Sequence, residues 1–337
     1  MSRTLLPLSL IAALASGVAF ADVPRVATDI TPVHSLVSRV MSGLGVPGVI
    51  IQPGASPHEY ALRPSEARTL QEADLVFWVG PDLTPSLGDT IRTIAPEAIA
   101  TALLDTEGTI ALEVREGALF EKHEHHGGEH DDHEDHAEHD DHEEHDDHDD
   151  HDDHDEHDDH ADHGHDAHAW LSPQNAATWL NVIAGKLSAA DPENAGTYFA
   201  NAAAGRAELQ ALTTEINAML EPVRDGRFIV FHDAYQYFET DFDFAASGAI
   251  SIGDASDPSP ARIGEIRERV AAEGIDCVLT EPQFNAGLVA AVLDGSQAQT
   301  EVLDPLGSNL ELGPTLYPQM IRQLATALTS CLQGAAD

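Results

Sequence analysis

The 337-residue chain has few basic residues: 16 Lys and Arg stand against 59 Asp and Glu, for a formal net charge of −43. Nucleic acids and anionic membrane surfaces need a basic face on their protein partner, so the composition argues against both. The chain also lacks a long apolar run after its N-terminus. We therefore expect no membrane insertion and a surface that attracts cations.

Cysteine is scarce, since the chain contains only Cys277 and Cys331. In an exported protein an even pair predicts a disulfide. The bond would close a loop of about 55 residues and contribute roughly 4 kcal/mol in the chain-entropy model. Two free buried thiols are the alternative. Two distant cysteines do not by themselves complete a metal site.

The first 21 residues have the features of a secretory signal peptide. Arg3 supplies a positive start, and residues 5–18 form an apolar stretch that is too short to span a bilayer easily. Ala19-Phe20-Ala21 fits the small-x-small rule for cleavage. We therefore predict that residues 1–21 are removed and that the mature, exported chain starts at Asp22. An uncleaved anchor is the alternative.

Histidine is concentrated in one acidic tract. Between His123 and His168 lie 17 of the 20 histidines, and residues 121–168 hold 24 of the 59 acidic residues but one of the 16 basic residues. The tract has almost no apolar surface to offset the entropy of ordering, so it predicts a disordered loop over residues 121–165. Imidazole and carboxylate are ligands of zinc and similar metals. Metal binding is therefore favoured over a solvated acidic spacer, which has no need of imidazole. The auxiliary ligands predicted in the tract recur at every third position: His130, His133, His136, His139, His142, His145, His148, His151, His154, His157, His160 and His163.

Short β-branched runs alternate with helical patterns on both sides of the tract. Strands are predicted over residues 25–28, 49–52, 75–79, 228–231, 249–252, 277–280 and 301–303. Helices are predicted over residues 65–72, 173–187, 192–220, 261–273, 286–294 and 316–332, the first of them capped by Ser65. The pattern predicts two α/β lobes with parallel-type sheets, joined by a long rigid helix, with a metal site in the cleft between them. We place the N-terminal lobe at residues 22–191, the linking helix at 192–222 and the C-terminal lobe at 223–337.

Three histidines lie outside the three-residue repeat, at predicted strand ends or loops. His58 follows the second strand, His168 closes the tract, and His232 follows the strand over residues 228–231. A single histidine is most often an ordinary polar residue. Three of them at similar positions of two lobes indicate a shared metal site.

Five segments carry a family resemblance. They are Pro57-His58-Glu59-Tyr60 with Arg63-Pro64-Ser65, His168 with Trp170-Leu171-Ser172-Pro173, Phe231-His232-Asp233-Ala234-Tyr235, Glu281-Pro282-Gln283-Phe284 and Leu303-Asp304-Pro305-Leu306-Gly307. Together they resemble the zinc type (ZnuA-like) of the periplasmic metal-binding proteins that serve ABC importers. The resemblance covers residues 24–333. An acidic, His-rich insertion before the second ligand and a disulfide in the second lobe are also typical of that family.

The resemblance implies that His58, His168 and His232 bind Zn²⁺ as the transported ligand. It also implies a periplasmic monomer whose partners are an ABC-type zinc permease and its ATPase. The fourth ligand stays open. Manganese-binding members use a carboxylate at the position of Asp304, whereas in zinc-binding members this acid often leaves the metal alone. Two alternatives are open for this chain: Asp304 is the fourth ligand, or water fills the fourth position and Asp304 has a structural or supporting role. Some zinc-binding members have an acid directly before the first histidine, where this chain has Pro57.

Several alternatives to zinc transport stay open. Three imidazoles with at most one carboxylate favour zinc over manganese, which prefers more oxygen ligands. A transport protein for manganese or another divalent metal is one alternative, and a periplasmic zinc buffer or an adhesin on the same fold is another. Three histidines plus water can also form a catalytic zinc site. The chain contains no HExxH and no Gly-x-Ser-x-Gly motif, so we do not expect an enzyme.

Overall fold

The structure is a computed structural model that describes residues 23–58, 60–115, 164–251 and 258–334. The first lobe contains the strands β1 (Val26–Thr28), β2 (Gly48–Val49), β3 (Leu75–Trp78) and β4 (Ile99–Ala102) and the helices α1 (Thr31–Val40), α2 (Pro64–Gln71) and α3 (Pro85–Ile94). The strands form a parallel sheet in the order β2-β1-β3-β4. Every residue of β1 and β3 is buried, as expected for central strands covered on both faces.

Two long helices follow the tract. They are α4 (Pro173–Ala190) and α5 (Ala195–Leu220), which are separated by a short 3₁₀ turn at Pro192–Asn194. The two helices pack against each other along their length. The predicted helix over residues 192–220 is thus a 3₁₀ turn followed by a 26-residue α-helix. The helix α5 leads from the first lobe to the second.

The second lobe repeats the architecture of the first. Its strands are β5 (Phe228–His232), β6 (Ala249–Ser251), β7 (Cys277–Thr280) and β8 (Gln299–Val302), and its helices are α6 (Gln236–Phe242), α7 (Pro260–Glu273), α8 (Ala286–Leu293) and α9 (Leu316–Gly334). The sheet is parallel, with the order β6-β5-β7-β8. The prediction of two parallel α/β lobes joined by a long helix is confirmed.

Proline and serine set the starts of several helices. Pro173 of α4 and Pro260 of α7 lie in the first helical turn, where the missing N–H costs nothing, and Ser172 and Ser259 cap these helices through their side chains. The predicted Ser65 cap of α2 is wrong. The helix already begins at Pro64, and a Glu66 side-chain oxygen instead accepts a hydrogen bond from the backbone N–H of Arg63, at 2.6 Å.

The two lobes are joined by packing as well as by α5. The helix α9 packs against α5 and reaches α1 of the first lobe, and one apolar core contains residues of both lobes. The Tyr317 N–H donates to Ser35 Oγ at 2.9 Å, and the Tyr317 hydroxyl donates to the Trp170 carbonyl at 2.8 Å. This packing supports the predicted stiff connection, while the lobe boundaries at residues 191 and 222 stay predictions.

The predicted disulfide is confirmed. Cys277 at the start of β7 is bonded to Cys331 in α9, with their Cα atoms 5.8 Å apart. Both cysteines are buried. The bond ties the last helix, which supports both lobes, to the second sheet. Within the described ranges, no helix combines the length and apolarity needed to cross a membrane.

Candidate metal centre

The fold brings the three histidines together at the carboxyl ends of the strands. His232 is the last residue of β5, His58 lies in the loop after β2, and His168 precedes the 3₁₀ turn at Ala169–Leu171. In each sheet the first strand of the lobe (β1 or β5) lies between the second and the third. The loops that follow neighbouring strands therefore run to opposite sides of the sheet at this point. Such switch points leave a crevice where ligands bind. The site lies where the crevices of the two lobes face each other.

The histidine nitrogens converge on one point. One ring nitrogen from each of His58, His168 and His232 lies within 4.8 Å of the others, and this is the one such group among the described residues. The Nε2 atoms of His168 and His232 are 3.4 Å apart. Two ligands of a tetrahedral zinc ion, each about 2.0–2.1 Å from the metal, are separated by about 3.3 Å. The two rings therefore already have the spacing of a zinc site.

Two buried carboxylates orient the rings. His168 Nδ1 is 2.7 Å from Asp166 Oδ1, and His232 Nδ1 is 2.6 Å from Glu281 Oε1. A carboxylate only accepts, so each Nδ1 carries the hydrogen and each Nε2 presents a lone pair. Two lone pairs facing each other at 3.4 Å repel unless a cation lies between them. This carboxylate–histidine arrangement is the usual support for metal-binding imidazoles.

His58 is less buried than the other two histidines. Its loop is held by the Thr84 hydroxyl, which donates to the Pro57 carbonyl at 3.0 Å, and by the Tyr60 hydroxyl, which donates to the Ile50 carbonyl at 3.0 Å. The His58 ring lies 5.3 Å from the His168 ring, between centroids. His58 is thus the ligand candidate on the open side of the site.

Aromatic and apolar side chains form the walls. The Trp170 ring lies 5.2 Å from His168, and the Phe284 ring lies 5.2 Å from His232 and stacks on Phe231 at 4.4 Å. Pro305 and Leu306 complete that side of the pocket. Apolar walls lower the local dielectric constant, which strengthens the attraction between a cation and its ligands.

Asp304 is engaged elsewhere. Its Oδ1 accepts from the Leu306 N–H at 3.1 Å, and its Oδ2 accepts from the N–H and hydroxyl of Ser308, at 2.7 and 2.5 Å. These contacts are those of a turn-forming aspartate and favour its structural role. Asp304 as the fourth ligand stays a prediction.

The acidic tract leaves and rejoins the fold beside the site. Glu113 and His165 form an antiparallel bridge, and the Asp166 N–H donates to the Leu112 carbonyl at 2.8 Å. This pairing closes the base of the tract two residues from His168. The twelve repeat histidines, His130 to His163, lie outside the described residues, and their predicted metal binding stays a prediction.

Arg115 ties the base of the tract to the second lobe. Its guanidinium donates to Asp233, next to His232, and to Glu239 Oε2 at 2.8 Å. Burial raises the pKa of both acids, and their hydrogen bonds to Arg115 oppose this shift. The Tyr237 hydroxyl adds a second tie, since it accepts from the Leu112 N–H at 2.9 Å and donates to the Asp166 carbonyl at 2.8 Å.

Sequence reasoning located the three histidines but assigned no role to the acids behind them. Asp166 lies two residues before His168, and an acid at that spacing is a usable signal. Glu281 follows β7, which pairs in parallel with β5, so both strands end at the same edge of the sheet. The position of Glu281 beside His232 could therefore also have been predicted from the sequence. Arg115 had no comparable signal.

Comparison with known proteins agrees with this geometry. The sequence profile of the ZnuA family, described as zinc-uptake complex component A, periplasmic, matches residues 26–331. The chain is 49% identical over 331 residues to the high-affinity zinc uptake system protein ZnuA of Paracoccus denitrificans (strain Pd 1222), covering 97% of this chain and 98% of that protein. It is 48% identical over 307 residues to the protein of the same name from Brucella abortus (strain 2308), covering 91% of each.

A crystal structure of ZnuA superposes with a TM-score of 0.71 at 20% sequence identity, covering 92% of this chain and 99% of that one. At this identity the superposition shows a shared fold. The sequence profile and the two relatives cover the segments that carry all three histidines. The chain therefore belongs to the ZnuA family of periplasmic zinc-uptake components.

Proposed function

We propose that the protein captures Zn²⁺ in the periplasm and delivers it to the permease of an ABC-type importer, whose ATPase drives uptake. His58, His168 and His232 are the proposed protein ligands. The observation that carries the proposal is the convergence of their ring nitrogens, with the His168 and His232 Nε2 atoms at tetrahedral spacing. The relatives described above are named as high-affinity zinc uptake proteins, which agrees with this assignment.

The charges around the site suit a divalent cation. Asp166 and Glu281 are each at most 5% exposed, and they place two negative charges directly behind neutral imidazoles. One Zn²⁺ has the charge that balances these two carboxylates. A nitrogen-rich set of three imidazoles favours zinc, whereas manganese prefers more oxygen ligands. Transport of manganese is therefore the less favoured alternative.

The packing between the lobes limits the expected motion on binding. Trp170 of the first lobe donates to the Pro305 carbonyl of the second at 2.8 Å, and Ser172 donates to Asp241 Oδ2 at 2.7 Å. With α9 packed against both lobes, we expect a small tilt or local loop ordering instead of wide closure. A large compaction between the apo and zinc-loaded forms in solution scattering would contradict this.

The acidic tract is proposed as an auxiliary segment that captures or senses zinc and passes ions to the cleft. Its base closes beside His168, which places both of its ends near the three-histidine site. Export is proposed to remove residues 1–21, leaving a monomer that starts at Asp22. Mass spectrometry of the protein purified from periplasm tests the cleavage position directly.

Calorimetric titration of zinc tests the proposal. The mature protein should show one tight site together with weaker sites, and deletion of residues 121–163 should remove only the weaker ones. His58→Ala and His232→Ala in the truncated form should abolish the tight site. Loss of the tight site by the deletion alone would make the tract the main binder and refute a cleft-centred mechanism.

Growth distinguishes transport from buffering. A strain lacking the gene should fail to grow in zinc-depleted medium and recover with added zinc or with the wild-type gene. A gene encoding His232→Ala should not restore growth. Normal zinc uptake in the deletion strain would favour a buffering role.

A further inference from the structure

Polar atoms without partners face the three-histidine pocket. Glu281 Oε2 and both amide atoms of Gln283 are buried, and the described part of the chain offers none of them a hydrogen bond. Both side chains line the same cavity as His58, His168 and His232. A buried polar group left unpaired costs about 1–3 kcal/mol. Two such groups on one wall of a metal pocket indicate that the wall is built to contact a polar ligand.

The remaining coordination position identifies that ligand. Three histidines occupy three corners of a tetrahedral zinc site, and a water molecule commonly takes the fourth. A metal-bound water uses a lone pair for the metal and points two O–H groups away from it. The amide oxygen of Gln283 is an acceptor on the pocket wall that matches one of these donors.

We propose that Gln283 positions a metal-bound water as the fourth zinc ligand. The inference rests on the proposed function and deepens it, because it makes Gln283 a residue that tunes metal affinity without touching the metal. It also agrees with the contacts of Asp304, whose carboxylate accepts hydrogen bonds from the N–H groups of Leu306 and Ser308.

The loop that carries Gln283 is held in place. Glu281 Oε1 is fixed by His232 at 2.6 Å, and the Phe284 N–H donates to the Glu281 carbonyl at 3.3 Å. The Phe284 ring stacks on Phe231, whose side chain is 1% exposed. Gln283 lies between these two anchors, so its amide is positioned before the metal arrives. Preorganised contacts of this kind improve affinity because little freedom is lost on binding.

The test replaces Gln283 with methionine, which has a similar shape but lacks the amide. We expect Gln283→Met to weaken zinc binding about tenfold, in the range typical of residues that support metal ligands. The visible absorption of the cobalt-loaded protein should change, because the water in the fourth position loses its orientation. The apo protein should melt at the same or a higher temperature, since an unpaired buried amide is removed. Gln297→Met, at an exposed loop residue, is the matched control and should behave as wild type.

Zinc affinity and the melting temperature of the apo protein together distinguish a positioning role of Gln283 from a packing role. Unchanged zinc affinity and an unchanged cobalt spectrum in Gln283→Met would overturn the inference while the proposed function stands. A lower melting temperature of the apo variant together with weaker binding would also overturn it, because that pattern reports lost packing. Failure of the wild-type protein to bind zinc tightly would refute the proposed function, and the inference with it.

Discussion

Removing the charge behind His232 should weaken zinc binding without breaking the site. Glu281→Gln keeps an oxygen that can accept from His232 Nδ1, so the ring orientation is preserved while one negative charge is lost. The Oε1–Nδ1 distance of 2.6 Å and the imidazole ring place that charge about 6 Å from a metal bonded to Nε2. At an effective dielectric constant of about 20, the attraction between a unit charge and each unit of metal charge at that distance is about 3 kcal/mol.

Part of this attraction is offset, because both the carboxylate and the metal ion lose solvation in the buried site. We therefore expect a loss of about 10- to 100-fold in zinc affinity, which corresponds to about 1.4–2.7 kcal/mol. Competition with a chromophoric chelator measures the change. Asp166→Asn is the internal comparison, since its carboxylate holds His168 at 2.7 Å and the same charge is removed.

Glu72→Gln is the matched control, because it makes the same chemical change at a half-exposed side chain beyond the end of α2. It should leave zinc affinity unchanged. Wild-type affinity in Glu281→Gln, with the fold intact, would refute the role assigned to the buried carboxylate. An equal loss in Glu72→Gln would show instead that overall charge, and not the site, governs affinity.

Four further predictions follow from the structure. Asp304→Asn should leave zinc affinity within about threefold of wild type, because the Asp304 oxygens accept hydrogen bonds from the N–H groups of Leu306 and Ser308 in the turn. A loss of affinity beyond about 100-fold would identify Asp304 as the fourth ligand. The Cys277–Cys331 bond links residues 54 positions apart. Its reduction should lower the free energy of unfolding, measured by denaturant titration, by up to about 4 kcal/mol. The variant Cys331→Ser should show no sensitivity to reductant. Burial raises the pKa of Asp29 to about 7, above its value in the unfolded chain, so this residue's contribution to stability is fully present at low pH and is lost as pH rises through 7. Between pH 6 and pH 8 the free energy of unfolding should fall by about 1 kcal/mol more in wild type than in Asp29→Asn, and equal pH slopes would contradict this. Protons compete with zinc for imidazole nitrogen, so calorimetry should show zinc affinity falling as pH is lowered from 7.5 to 5.5, with protons released on binding.

The sequence predicted the central strands and the long helices well, and it missed elements at the edges. The buried strands β1, β3, β5 and β7 appear as continuous apolar or β-branched runs, which is the pattern of parallel strands covered on both faces. The edge strand β4 was not predicted, and the strand predicted over residues 301–303 starts two residues after the observed start of β8. Two residues of β4 and all four of β8 are exposed, so neither strand has an apolar pattern to read.

The start of α2 shows how local chemistry can be read wrongly. Ser65 is a good cap by residue type, but Pro64 already occupies the first helical turn. The capping group is the Glu66 carboxylate, which reaches back to the Arg63 N–H. Whether Ser65 or Glu66 caps the helix depends on backbone angles, which the sequence alone does not contain.

The sequence by itself determined the α/β class, the disulfide pairing and the three histidines of the candidate site. It could do so because apolar periodicity, a single cysteine pair and motifs around isolated histidines are all local signals. Only the tertiary structure decided how those histidines are supported. Asp166 and Glu281 orient the rings, Gln283 faces the pocket with an unpaired amide, and Asp304 turns toward its own loop. These roles depend on distances between side chains from separate strands and loops, and packing of the two lobes against α5 and α9 sets those distances.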